Sequence, residues 1–133
     1  MDEREFKSRT KKLALRIIRM VESLPRGRAA DVIGKQLLRS ATSVGANYRA
    51  ACRGKSPADV INKLSIVEEE ADESLYWMEL LAEAGVVSEA QLVNLVSEMD
   101  EIVAMTVASI KTLRARNSAL RFTRPIQNPK SKI

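Results

Sequence analysis

The sequence predicts an all-α fold: four helices packed antiparallel, up-down-up-down, in a single domain. Three observations lead there. Apolar residues make up 45% of the 133 residues but aromatics only 4%, so the core must be built from Leu, Ile, Val, Ala and Met. The five Gly and four Pro are sparse, and most fall between long stretches whose apolar residues recur at helical spacing. The links between those stretches are short, which makes consecutive helices antiparallel neighbours. A chain of this length fits one domain with one core.

The first helix is predicted from about Asp2 to Leu24, with Phe6, Leu13, Ile17, Met20, Val21 and Leu24 on one stripe. "PRGR" at 25–28 stops it, because Pro lacks an amide proton and Gly accepts turn conformations. The second runs from about Ala29 to Arg53. Ile33, Leu37, Ser40, Val44, Tyr48 and Ala51 share its inner face, and Gly54 suits the position after its end. Within it, "SATSVGAN" (40–47) is unusual. Gly45 costs up to about 1 kcal/mol relative to Ala in mid-helix. Such small residues let a neighbouring helix approach closely, or else contact a ligand; Asn47 lies at the edge of the apolar face.

"SPAD" (56–59) starts the third helix, with Ser56 as cap, Pro57 in the first turn and Asp59 at the capping-box position. Its seam is Val60, Leu64, Val67, Ala71, Leu75, Met78 and Leu81/Ala82, and Gly85 ends it. "SEAQ" (88–91) is a second capping box. The fourth helix then carries Leu92, Leu95, Met99, Ile102, Thr106, Ile110 and Leu113 to about Asn117. The bundle is thus expected over 1–117. Residues 118–133, "SALRFTRPIQNPKSKI", are expected to form a basic, flexible tail.

Charge is distributed in blocks. Residues 1–55 hold 14 Lys/Arg and five Asp/Glu, residues 56–110 one Lys and 12 acids, and residues 111–133 seven Lys/Arg with no acid. The acidic block centres on "SIVEEEADESLYW" (65–77). An acid/base or metal site would need these carboxylates to converge, yet on a helix they diverge over an arc of about 200°. Bundle metal sites also use Glu-x-x-His, and the chain has no His. No metal or cofactor is expected. The remaining readings are a solvated face or one that meets basic partners on helix two or a second subunit. Like-charge pairs Glu68/Asp72 and Glu69/Glu73, four residues apart, would be relieved by such partners. Tyr76 and Trp77 point away from the seam. With Glu69 and Glu73 they are candidates for a subunit interface, the alternative being that the ends of helices one or four cover them.

Arg28, Lys35, Arg39, Arg49 and Arg53 form a basic stripe along the outer face of helix two. Arg114, Arg116, Arg121, Arg124, Lys130 and Lys132 form a basic C-terminal arm. Stripe and arm together suit nucleic-acid phosphates, although a merely solvated face has the same composition. Cys52 lies among Arg49, Arg53 and Lys55, which could lower its thiol pKa. Without a His base or an oxyanion loop it gives no catalytic arrangement, and the five Gly form no phosphate-binding loop. The single Cys excludes an internal disulfide, and no apolar run is long enough to cross a membrane. The expectation is a soluble, cytoplasmic, non-enzymatic protein.

The stretch "QLLRSATSVGANYRAACRGKSPADVINKLSIVEEEADESLYWMELL" (36–81) resembles the bacterial four-helix-bundle proteins encoded within intervening sequences of large-subunit ribosomal RNA genes. That family also includes the accessory proteins of diversity-generating retroelements. The resemblance implies a four-helix protomer, a homo-oligomeric ring of five, and a basic surface suited to RNA. In the retroelement branch it implies partnership with a reverse transcriptase. Many members carry an Asn-x-Ala-Glu-Gly run; this chain has "NYRAACRG", with Ala50 where the Glu would stand, so any role of that Glu is absent here.

Overall fold

The computed structural model describes residues 2–123, with side chains through residue 119. It contains four helices: α1 (Glu3–Glu22), α2 (Arg28–Cys52), α3 (Pro57–Glu83) and α4 (Glu89–Thr123). Each packs against its neighbour in the chain. The α2–α3 interface is the most extensive, α1 closes only lightly on α4, and the diagonal pairs make no close backbone approach. This is the up-down four-helix bundle.

Local chemistry sets the ends. Asp2 caps α1, its carboxylate accepting the Glu5 amide at 2.7 Å. The Ser56 hydroxyl accepts the Asp59 amide at 3.1 Å, and Asp59 in return accepts the Lys55 amide at 3.1 Å. Ser88 and Gln91 exchange the same reciprocal pair at the start of α4. Gly85, at φ +73°, closes α3. The Val86 amide reaches the Leu81 carbonyl and the Gly85 amide the Ala82 carbonyl, which satisfies the last turn.

Gly54 differs from this pattern because its φ is not positive. Its value is space: a Cβ there would collide with the Val60 side chain at the α2–α3 turn. The fourth helix also departs from expectation. It runs past Asn117 to Thr123, so residues 118–123 of the expected tail are helical. "SALRFT" contains no breaker, and the first one is Pro125, which disfavours a helical residue just before it. The rest of the tail, including Arg124, Lys130 and Lys132, lies outside the described residues.

The main core joins all four helices around Ile17, Leu37, Val67, Met78, Met99 and Ile102, each fully buried. A smaller cluster of Ala51, Leu64 and Ile110 fills the end where α1 begins and α2 ends. Near it Phe6 and Tyr48 stack with ring centroids 4.3 Å apart. The seam of α3 is wider than its heptad suggests: Ser74 is fully buried, while Leu75 and Val60 are only half-buried.

Candidate nucleic-acid interface

Gly45 and Ser40, both in "SATSVGAN", explain how α2 sits so close to its neighbours. A Cβ on Gly45 would lie 3.3 Å from Thr10 Oγ1, so α1 rests almost directly on the α2 backbone. On the other flank the buried Ser40 and Ser74 hydroxyls meet at 2.8 Å across the α2–α3 interface. Thr42, Ser43 and Asn47 bond back to carbonyls of their own helix. Close helix approach therefore accounts for the stretch.

This packing presents the outer face of α2 to solvent. Arg28, Lys35, Arg39, Arg49 and Arg53 are all exposed. Among the described residues, no ion pair reaches Arg28, Lys35, Arg49 or Arg53. Arg39 is the exception. Its guanidinium donates to Glu73 Oε2 at 2.5 Å and lies 3.7 Å from Glu70 Oε1, both on α3. Glu73 Oε2 also accepts the Trp77 indole N–H at 3.0 Å.

The acidic stretch thus divides. Glu69, Asp72, Glu79 and Glu83 are exposed, whereas Glu70 and Glu73 turn toward α2. Glu70 does not join the solvated arc; its Oε1 is buried without a hydrogen-bond donor, since 3.7 Å is too long for one. Burial pushes the Glu70 carboxyl above the usual carboxylate range, helped by the neighbouring Glu73 charge and opposed by Arg39. Among the described residues, no three His, Cys, Asp or Glu side chains gather as a metal-binding group.

Of the four candidate interface residues, Glu73 and Trp77 are engaged inside the chain, and Trp77 packs on the main core. Tyr76 is 52% exposed and touches Trp77 edge-on, with centroids 5.2 Å apart. Glu69 is exposed and makes no ion pair among the described residues.

Inspection of α2 alone overlooks the contribution of α1. Arg4, Lys11, Lys12, Arg16 and Arg19 are exposed on α1, and an open cleft of about 640 Å³ between α1 and α2 brings Lys7 and Lys11 beside Arg49. Lys7, Lys11 and Arg49 border it; Ser8, Ala14, Thr42 and Ala46 form its low walls. Lys7 is paired with Glu3 at 3.2 Å. Exposed cations four and seven residues apart on α1, without apolar partners, were the available sign. At the end of the bundle where α1 begins and α2 finishes, Arg116 of α4 borders a cleft with Glu3 and Cys52, and Arg114 is exposed on the same helix. Arg121 lies in the last turn of α4, and Arg124 beyond the described residues.

Cys52 is half-buried, and burial pushes its thiol up rather than down. The cations beside it in sequence project to solvent instead of toward the sulfur, so the thiol gains no activation from them. No described helix is long and apolar enough to cross a membrane.

Comparison with known proteins follows the same lines. The family described as "23S rRNA-intervening sequence protein" matches residues 3–108. Four solved chains match. One is a protein of unknown function from the S23 ribosomal protein family of Bacteroides thetaiotaomicron VPI-5482. It is 36% identical, with a TM-score of 0.78 over 84% of this chain and 99% of that one. No curated protein matches. Neither description names an enzymatic activity.

Proposed function

Since the chain belongs to the family of 23S rRNA-intervening sequence proteins, we propose that it is a non-enzymatic protein that binds nucleic acid, RNA in preference, through the basic side of its bundle. One observation carries this reading. Arg28, Lys35, Arg49 and Arg53 stand exposed along α2 without carboxylate partners among the described residues, although the same chain has carboxylates to spare. Unpaired exposed cations in a row are suited to a phosphate backbone. Arg116 adds a cation at the end of the bundle where α2 finishes, and Arg114 is exposed nearby in the chain; Arg121 and Arg124 belong to the same basic sequence arm. Arg39 contributes less, because Glu73 already holds it.

The test is binding of nuclease-treated protein to a structured RNA and a matched DNA duplex across a salt series. RNA affinity should fall steeply with salt, the slope losing about 0.7–0.9 for each phosphate contact removed. Arg49→Glu with Arg53→Glu should abolish binding at physiological salt. Equal binding by the reversed protein would remove these residues from the site.

A second reading treats the chain as an accessory subunit or scaffold. It would assemble with itself, in a ring of five, or with a protein such as a reverse transcriptase. Exposed Tyr76, one heptad after the exposed Glu69 on α3, supports it, because a large aromatic left in water is a common interface anchor.

A further inference from the structure

Within the α2 stripe, Arg39 is already occupied. Its guanidinium reaches across to α3, 2.5 Å from Glu73 Oε2 and 3.7 Å from Glu70 Oε1. Gln36 Oε1 lies 3.5 Å from its Nε, a long third contact. The Arg39 side chain is nonetheless 54% exposed. Lys35, one turn before it on the same face, is exposed and makes no ion pair among the described residues. A phosphate lying along the stripe therefore competes with two carboxylates for one guanidinium.

Those carboxylates differ in what they retain when Arg39 leaves. Glu73 Oε2 keeps the indole N–H of Trp77 at 3.0 Å. Glu70 Oε1 is buried with no hydrogen-bond donor. The charged groups that face Glu70 are Arg39 from α2 and Glu69 and Glu73 from its own helix. Among the described residues, Arg39 is the cation of that set. Its departure leaves a largely buried carboxylate beside two others, and burial and like charge both favour the protonated form.

We propose that Arg39 is a proton-gated part of the basic stripe: Glu70 and Glu73 hold its guanidinium against α3, and a nucleic-acid phosphate draws it away as Glu70 takes up a proton from solvent. This rests on the RNA reading and deepens it, because the affinity of the surface then depends on pH. The composition of the chain makes that dependence readable. There is no His, so no unperturbed side chain titrates between about pH 5.5 and 7.5. Burial moves Glu70 up toward that window, and it moves Cys52 and Tyr48 further above it. Proton uptake on binding means that affinity rises as pH falls, by at most about tenfold per pH unit for one proton.

The full chain, freed of nucleic acid, is titrated with one RNA hairpin at pH 7.5 and at pH 5.5, at constant ionic strength. The unmodified protein should bind about three- to tenfold more tightly at pH 5.5. Glu70→Gln keeps the shape of the side chain and removes the titrating group. It should bind at both pH values about as tightly as the unmodified protein does at pH 5.5. Arg39→Gln should bind more weakly than that, and equally at the two values. The single Trp gives a second readout. Trp77 donates to the carboxylate that Arg39 vacates, so its emission should change when RNA binds the unmodified protein but not when RNA binds Arg39→Gln. A pH dependence belonging to the RNA would persist in Glu70→Gln, and that result overturns the gate. Salt-sensitive binding by the unmodified protein that is equal at both pH values also overturns the gate and leaves the RNA reading standing. Absence of binding at low salt at both values removes the RNA reading itself, and the gate with it.

Discussion

The α1–α2 half of the bundle and the α3–α4 half bring helices together by opposite means. Helices α1 and α2 approach through small groups: Thr10 against Gly45, and Gly34, whose missing Cβ leaves room for Val21 and Leu24 at 3.2 Å. Helices α3 and α4 meet through Met78, Leu81, Leu92, Met99 and Ile102, all fully buried. The first half is basic outside and the second acidic. Close approach through small residues needs little apolar area, so nearly the whole outer surface of α1 and α2 is left for charge. The larger side chains of α3 and α4 reach beyond the interior and leave Tyr76 and Val93 in an open groove. Charge and packing are therefore two aspects of one division of the molecule.

That division can be broken most strongly at the large side chains. Met99→Ala should cost about 2–5 kcal/mol, read from the urea midpoint, because a fully buried side chain is removed where its neighbours cannot close in. The reverse change tests the other half. Gly45→Leu forces bulk against Thr10 and should cost about 1–3 kcal/mol by overpacking. Alanine at the same position should be far milder, since its helix propensity offsets a contact only slightly too close. If Met99→Ala proved mild and Gly45→Leu harmless, the contrast in packing would be wrong.

A smaller effect sharpens the electrostatic contrast. Arg9 of α1 grips Glu98 of α4 with two hydrogen bonds, at 2.9 and 2.7 Å, and Glu101 with a third. Those bonds hold the Glu98 carboxyl below its usual value near 4.5, against some burial. Its contribution is therefore complete above that value and is lost as pH falls through the lowered folded-state value. Glu70 has the opposite sign. Burial raises it, so its ionised form opposes folding at neutral pH, and protonation on acidification relieves that cost. Glu98→Gln should then lower stability at pH 7 by about 1–2 kcal/mol, an amount reduced by partial exposure. Glu70→Gln should leave stability at pH 7 unchanged or higher. Urea titrations at pH 7 and pH 4 should show the gap between the two variants narrowing in acid.

Much of the fold was legible because its signals are local. Ser56, Pro57, Ser88 and Gly85 mark helix ends through chemistry completed within a few residues, and the apolar spacing in each stretch fixes which face turns inward. The candidate site was less so. Arg39, Glu73 and Trp77 are joined through space, and a helical wheel of α3 alone cannot tell that its flank facing α2 is sheltered enough to bury Glu70. The cations of α1 belong to the basic side only once Gly45 and Thr10 bring the two helices together. The basic composition after Asn117 suggests a tail, but no helix breaker precedes Pro125 and α4 continues to Thr123.

The contact between Ser40 and Ser74 has a further consequence. Methyl and methylene groups have no preferred partner, and a bundle lined only with them can slide by a heptad with little change in buried area. The two hydroxyls are sheathed in that lining, and Ser74 can also donate to the Glu70 carbonyl at 2.9 Å. Ser40 has the same option toward the Leu37 carbonyl at 3.3 Å, so either hydroxyl can supply the proton between them while the other completes a chain of hydroxyl, hydroxyl and carbonyl. A slide of α3 by one heptad, about 10.5 Å, would bring Val67 or Leu81 opposite Ser40 and break the chain. The serine pair thus acts as an alignment key: it adds little to the depth of the native energy well but excludes the neighbouring ones.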